Sequence, residues 1–276
     1  MNQLNGIPES MLIPLAARAI ETDRSNPIIK DTFSKAIFQS LDYPFENITK
    51  SKSTQVGISI RTHLLDQLVR TFIEHNNAPL IINIGCGLDT RYERLNLQQI
   101  PWIDIDVPET MNVRKQFFTE NTYRKMIAKS MLDYSWIDTV KSFPIYNKDK
   151  DILIIFEGVL MYFDKHTIHQ LLTTITTSLQ SHHITVAAEF CSKMIADHTQ
   201  QHKAVSQLAT KPIFKYGYNT LYALNDITPP HMRVVSELNY FDYFHKRWGV
   251  FGLCRWIPYL RNRLNNKIAI MSYHNK

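Results

Sequence analysis

Hydrophobic positions divide the chain into a helical beginning, an alternating middle and a less regular end. Over residues 11–21, Leu12, Leu15, Ala16, Ala19 and Ile20 recur at helical spacing. Residues 28–40 repeat that spacing with Ile29, Phe33, Ala36 and Ile37, and Pro27 suits a helix start. Residues 53–75 keep the same period through Val56, Ile60, Leu64, Leu68 and Phe72, predicting one long helix. Asn76, Asn77, Ala78 and Pro79 end it. Short apolar runs then alternate with polar, helix-like stretches. Strands are expected at 80–85, 101–106, 123–130, 151–156 and 184–190. Helices are expected over 91–97, from Pro108, and after Asp164, which suits an N-cap. Such alternation argues for an open, mostly parallel α/β sheet.

After Phe190 the alternation weakens. Residues 192–210 read as polar and helical, 212–230 as aromatic-rich and irregular, and 233–240 and 267–273 as two late strands. The expected organisation is a single domain in four parts: a helical cap (1–78), a core sheet (79–190), a lid over the sheet's carboxyl edge (191–230), and last strands with a substrate rim (231–276).

A length of 276 residues suits one sizeable core. The chain holds no apolar run long enough to cross a bilayer, and it does not open with a basic segment followed by an apolar one. A cytoplasmic protein is the expectation. Cys86, Cys191 and Cys254 are far apart, which suits reduced thiols and gives no reason to expect a metal site. The net charge is +6, with cations gathered late in the chain at Lys246, Arg247, Arg255, Arg261, Arg263 and Lys267. A solvated face comes first as a reading, an anion-attracting rim around a pocket second, and a nucleic-acid patch third. Neither nucleic acid nor a membrane is expected as a partner, and oligomeric state is not legible.

Candidate chemistry begins where the first strand breaks at Gly85-Cys86-Gly87. Glycines there permit a sharp turn and the close approach of a ligand. Asp106 ends the second strand about 20 residues on, the place for a carboxylate that accepts ribose hydroxyls. Asp104 shares its face and suits a structural role, with Arg91 as its expected partner. Thr90 stands where a dinucleotide fingerprint has its third glycine, which favours a nucleoside ligand without a pyrophosphate. Asp89 reads equally as a turn residue or as a neighbour of the ligand's amino acid end. Glu157 ends the most apolar strand and would face the crevice. Tyr162 reads as a substrate-side residue or a core tyrosine.

Residues 83–91 (Asn-Ile-Gly-Cys-Gly-Leu-Asp-Thr-Arg), 104–109 (Asp-Ile-Asp-Val-Pro-Glu) and 156–163 (Phe-Glu-Gly-Val-Leu-Met-Tyr-Phe) together resemble the leucine carboxyl methyltransferase family. Its bacterial branch of polyketide-synthesis O-methyltransferases is the nearer match. The resemblance implies a class I, Rossmann-like methyltransferase sheet of seven strands, the last antiparallel, with S-adenosyl-L-methionine as cofactor. It implies that Arg61 holds the donor's carboxylate, that Gly85 and Gly87 form the glycine-turn contact, and that Asp106 binds ribose. It also places Glu157 near the methionine end, Met131 and Leu132 beside adenine, and Arg18 at a second basic contact.

A carboxylate acceptor needs no general base near neutral pH, whereas a phenol or alcohol gains from one. His166, His169, His198 and His202 lie in polar stretches, and His231 and His245 are the histidines nearer the expected pocket. The expected function is O-methylation of a carboxylate or phenolic hydroxyl on a small aromatic or polyketide-like molecule, with Tyr162 as the candidate catalytic residue. Alternatives are a protein C-terminal carboxyl methyltransferase, a non-catalytic adenosyl-binding protein, and an NAD-dependent dehydrogenase.

Overall fold

The computed structural model describes residues 8–46, 49–199 and 213–274. After a 3-10 turn at Pro8–Met11, three helices pack together: α1 (Leu12–Thr22), α2 (Thr32–Ser40) and α3 (Lys52–His75). Asp31 caps α2, accepting from the Ser34 N–H at 2.9 Å, so the helix starts there rather than at Pro27. The alternating middle runs β1 (Pro79–Ile84), α4 (Arg91–Arg94), β2 (Trp102–Asp106), α5 (Pro108–Arg114), β3 (Arg124–Ala128), α6 (Ser135–Ser142), β4 (Asp151–Phe156), α7 (Lys165–Ser178) and β5 (Ile184–Phe190). Then come α8 (Lys193–Asp197), β6 (Met232–Asn239), α9 (Pro258–Arg263) and β7 (Lys267–Tyr273). The α6 helix was not foreseen, because its apolar face is carried by only Trp136, Ile137 and Val140. The polar helix expected over 192–210 is helical over Lys193–Asp197, and its part from 200 on, with His202, lies outside the described residues.

One seven-stranded sheet has the order β3-β2-β1-β4-β5-β7-β6. All neighbours from β3 to β5 are parallel, and β7 runs antiparallel to both β5 and β6. This is the class I methyltransferase architecture. Residues of β1 and β4 are buried on both faces, which explains their unbroken apolar character. Ile82, Ile84, Ile154 and Phe156 join Trp136, Leu171 and Ile175 on one side. On the other, Ile81, Leu153 and Ile155 pack against Ile60, Leu64 and Val69 of α3.

Strand order reverses between β1 and β4, so the helices that follow them leave on opposite faces. A crevice opens at their carboxyl ends, where sheets of this kind take ligands. The N-terminal helices close one wall of it, with Met11, Leu12 and Leu15 packed in one cluster with Cys86, Leu88 and Met111. Among the described residues, no helix is long and apolar enough to cross a membrane.

Candidate active site

A cavity of about 600 Å³ fills that crevice. Its volume lies within the range of cofactor and substrate sites. At one end stand Gly85, Gly87, Asp106 and Met131, and at the other Tyr162, Phe214, Trp248 and Asn265.

Local backbone shape builds the first end. Gly85 has φ +70°, and a Cβ there would lie 2.3 Å from Val159 Cγ1. Asp106 holds the turn in place: its Oδ2 accepts from the Gly87 N–H at 2.7 Å and its Oδ1 from the Val107 N–H at 2.8 Å. Each carboxylate oxygen keeps further lone-pair capacity for a ligand hydroxyl. Burial raises the Asp106 pKa, partly countered by those two N–H groups.

A continuous ion network crosses the middle of the site. Glu189 and Glu157 flank Arg61, at 2.8 Å each. Glu157 also meets Arg91, which meets Asp89 and Asp66. Asp66 leads to Arg94, Arg94 to Asp31, and Asp31 to Arg18. Four arginines thus face five carboxylates, leaving one unbalanced negative charge. Burial alone would lower the Arg61 pKa, but Glu189 and Glu157 more than reverse that. Burial alone would raise that of Glu157, but Arg61 and Arg91 hold it low. The Arg61 Nε sits beside Glu157 without the alignment to donate to it and, among the described residues, is a buried donor with no hydrogen-bond acceptor.

At the second end, Tyr162 is buried edge-on against Phe214, and burial raises its pKa. The Tyr240 hydroxyl donates to Glu189 Oε1 at 2.9 Å, and Asn266 Nδ2 donates to the same oxygen at 3.0 Å. Asn265 is only 6% exposed, and its Nδ2 has no hydrogen-bond partner among the described residues. Its Oδ1 accepts from the Asn266 N–H at 2.9 Å, which fixes which side of the amide carries the free donor.

Of the residues expected from the sequence, Arg18, Arg61, Gly85, Gly87, Asp89, Asp106, Met131, Glu157 and Tyr162 all line this one cavity. Leu132 does not; it is 37% exposed. Arg18 is buried, donating to Asp31, Ser34 and the Leu88 carbonyl. Asp104 is structural as expected, but its partners are Arg114 and Arg124, not Arg91. The late cations do not form a rim on the cavity: Arg247 pairs with Glu21, Arg261 with Asp242, and Lys267 is buried near Glu237. His231 and His245 are exposed and line none of it. Cys86 is buried, and burial pushes its thiol pKa up, in keeping with a packing role. Glu189, Tyr240 and Asn265 were missed. Glu189 could have been found, because it is the one acid in an otherwise uncharged strand, the position that marked Glu157.

The leucine carboxyl methyltransferase family model matches residues 11–176. The chain belongs to the leucine carboxyl methyltransferase family. Among curated relatives, it is similar to the tetracenomycin polyketide synthesis O-methyltransferase TcmP of Streptomyces glaucescens, 27% identical over 58% of this chain. It is also similar to the S-adenosyl-L-methionine-dependent methyltransferase dpfgK of Gibberella zeae, 30% identical over 63% of this chain. The matches span 57% and 61% of those two relatives. A DUF574-family protein of Streptomyces avermitilis superposes with a TM-score of 0.59, at 9% identity over 94% of this chain and 97% of its own. A SAM-dependent methyltransferase of Anabaena variabilis gives 0.52, at 13% identity over 94% and 95%. In this family member the matched stretch holds every cavity residue from Met11 through Tyr162. Glu189, Phe214, Tyr240, Trp248 and Asn265 lie beyond it.

Proposed function

We propose that the protein is an S-adenosylmethionine-dependent O-methyltransferase whose acceptor is a carboxylate or phenolic hydroxyl on a small aromatic or polyketide-like molecule. The observation that carries this is one cavity with a ribose-type acid, Asp106, at one end and an aromatic pocket at the other. The chain's own residues fit the donor. Gly85 lets the turn close at positive φ against Val159, where a Cβ would not fit, and Asp106 has acceptor capacity left for both ribose hydroxyls. The unbalanced negative charge of the ion network suits a donor whose net charge is positive. When bound, S-adenosylmethionine supplies an electrophilic methyl group on a sulfonium.

The protein's part is alignment and exclusion of water. Met131 would flank the adenine end, and Glu157 and Arg61 would meet the amino acid end. Tyr162, Phe214 and Trp248 would hold the acceptor's apolar body. No histidine lines the cavity among the described residues, and burial keeps the Tyr162 and Tyr240 hydroxyls protonated. This supports an acceptor that is already ionised, a carboxylate, with Tyr162 as a hydrogen-bonding wall rather than a base.

Calorimetry with S-adenosylmethionine and with NAD tests the donor, and labelled methyl transfer to aromatic acids, phenols and peptide C-termini tests the acceptor. Tight NAD binding would overturn the reading, as would label on peptide termini alone. Asp106→Asn should weaken donor binding roughly 10- to 100-fold, the loss of a charge-assisted hydrogen-bond set, while leaving the fold intact by circular dichroism. Asn265→Asp keeps the oxygen that caps Asn266 but turns the free donor into a carboxylate oxygen. For an acid acceptor it should raise KM roughly tenfold or more, with the donor Kd unchanged. Equal KM values in the two proteins would remove Asn265 from acceptor recognition.

A further inference from the structure

We infer that residues 244–259 form a docking surface for the anionic face of a phospholipid bilayer, beside the cavity mouth. The expected absence of a membrane partner rested on the lack of a spanning segment. Surface docking needs none. Along the 3-10 stretch His245–Trp256 and the start of α9, Val250 is 83% exposed, Trp256 73% and Leu253 64%, with Phe251 and Tyr259 also mostly exposed. Single exposed apolar residues are ordinary, but a run of this size on one surface segment marks an interaction site.

Charge identifies the occupant. No acidic residue occurs after Asp242. Among the described residues, Lys246, Arg255 and Arg263 pair with no acid. Arg255 lies over the Trp256 ring at 4.6 Å and Arg263 over that of Tyr259 at 4.1 Å. Cations stacked on tryptophan and tyrosine present an apolar body with a charged tip, which suits the boundary between lipid headgroups and acyl chains. A second copy of the chain would bring the same sign of charge against itself across a two-fold, so self-association is disfavoured. Trp248 within the segment and Leu264 just beyond it both line the cavity. A docked molecule would hold its cavity mouth near the bilayer, a source of apolar acceptors; only that last point rests on the methyl-transfer reading.

The test is co-sedimentation of the full chain with vesicles of phosphatidylcholine alone and of equal parts phosphatidylcholine and phosphatidylglycerol, at low and high salt. The protein should pellet with the anionic vesicles at low salt, and roughly tenfold less with neutral ones or at high salt. Phe251→Ser with Trp256→Ser should cut anionic binding roughly tenfold, and Arg255→Gln with Arg263→Gln should remove the preference for the anionic vesicles. Because Phe251 and Trp256 are mostly exposed and Arg255 and Arg263 are half-buried with no acid partner among the described residues, thermal melts of the variants should stay close to the parent. An independent readout uses the unaltered chain: brominated phosphatidylglycerol should quench tryptophan emission, since Trp256 is the mostly exposed one of four tryptophans. Protein left in the supernatant, pelleting blind to lipid charge, or a dimer in light scattering that the Phe251→Ser, Trp256→Ser variant dissociates would each overturn the inference. Donor calorimetry on the same samples reads the methyl-transfer proposal separately.

Discussion

Replacing Arg61 by methionine is expected to cost about 3–5 kcal/mol, read as a lower denaturant midpoint, and to abolish donor binding. The guanidinium is the only cation contacting Glu189 among the described residues, and it shares Glu157 with Arg91. Methionine fills similar volume but leaves the Glu189 carboxylate, which is 1% exposed, with only the neutral donors Tyr240 and Asn266. An ionised buried acid without a counter-charge is the costly outcome of breaking a buried pair from one side.

The pH dependence separates this account from a simple packing defect. In the parent protein the folded-state pKa of Glu157 is depressed. Its contribution to stability is therefore complete above its unfolded pKa and lost as pH falls toward the folded value. Acid should destabilise the parent through this group, and likewise through Asp31 and Asp104, which are also held low. In the Arg61→Met protein, Glu157 loses one of the two arginines that hold its pKa low, so that protein should lose less stability than the parent in acid and the gap should narrow as pH falls. Adding Glu189→Gln should recover part of the loss at neutral pH, a coupling expected of residues in direct contact. A gap of constant size from neutral to mildly acidic pH, with no rescue by Glu189→Gln, would show that the arginine acts by packing alone.

The same network explains what could and could not be read from the sequence. Strands β1, β4 and β5 were legible because burial on both faces demands unbroken apolar runs, and an acid ending such a run has to face a crevice. Glu157 was found in this way, and Asp106 by its distance of about 20 residues from the glycine turn. Asp104 lies two residues from Asp106 on the same face, yet its partners come from α5 and the edge strand β3. Nothing in local spacing distinguishes Arg91 from Arg114 or Arg124; only the sheet order does. Arg91 is instead drawn beneath the glycine turn to Asp89, Asp66 and Glu157. The second end of the cavity was hidden for a different reason. Tyr240, Trp248 and Asn265 sit on irregular connections around β6 and β7, where no periodicity reports orientation, and β7 inserts between β5 and β6 out of chain order. The late cations were visible as a cluster, but their pairing with Glu21 and Asp242 depends on contacts made across the fold.

Gly85→Ala should cost about 2–5 kcal/mol and weaken donor binding more than tenfold, for two separable reasons. The first is backbone conformation. At φ +70° an alanine carries the left-handed penalty of about 1–2 kcal/mol that glycine avoids. The second is contact: the new Cβ would lie 2.3 Å from Val159 Cγ1 and 3.2 Å from its Cβ. Valine is stiff about χ1, and Val159 packs against the main core, so it cannot swing clear cheaply. Overpacking of this kind costs about 1–3 kcal/mol. The turn would yield instead, and the Gly87 N–H that bonds Asp106 at 2.7 Å would move with it. Pairing Gly85→Ala with Val159→Ala removes the contact but not the backbone strain. The double variant should therefore regain stability relative to the single one while still binding donor less tightly than Val159→Ala alone. If Gly85→Ala melted with the parent and bound S-adenosylhomocysteine equally well, the turn at the end of β1 would not be the close-contact cradle that its geometry describes.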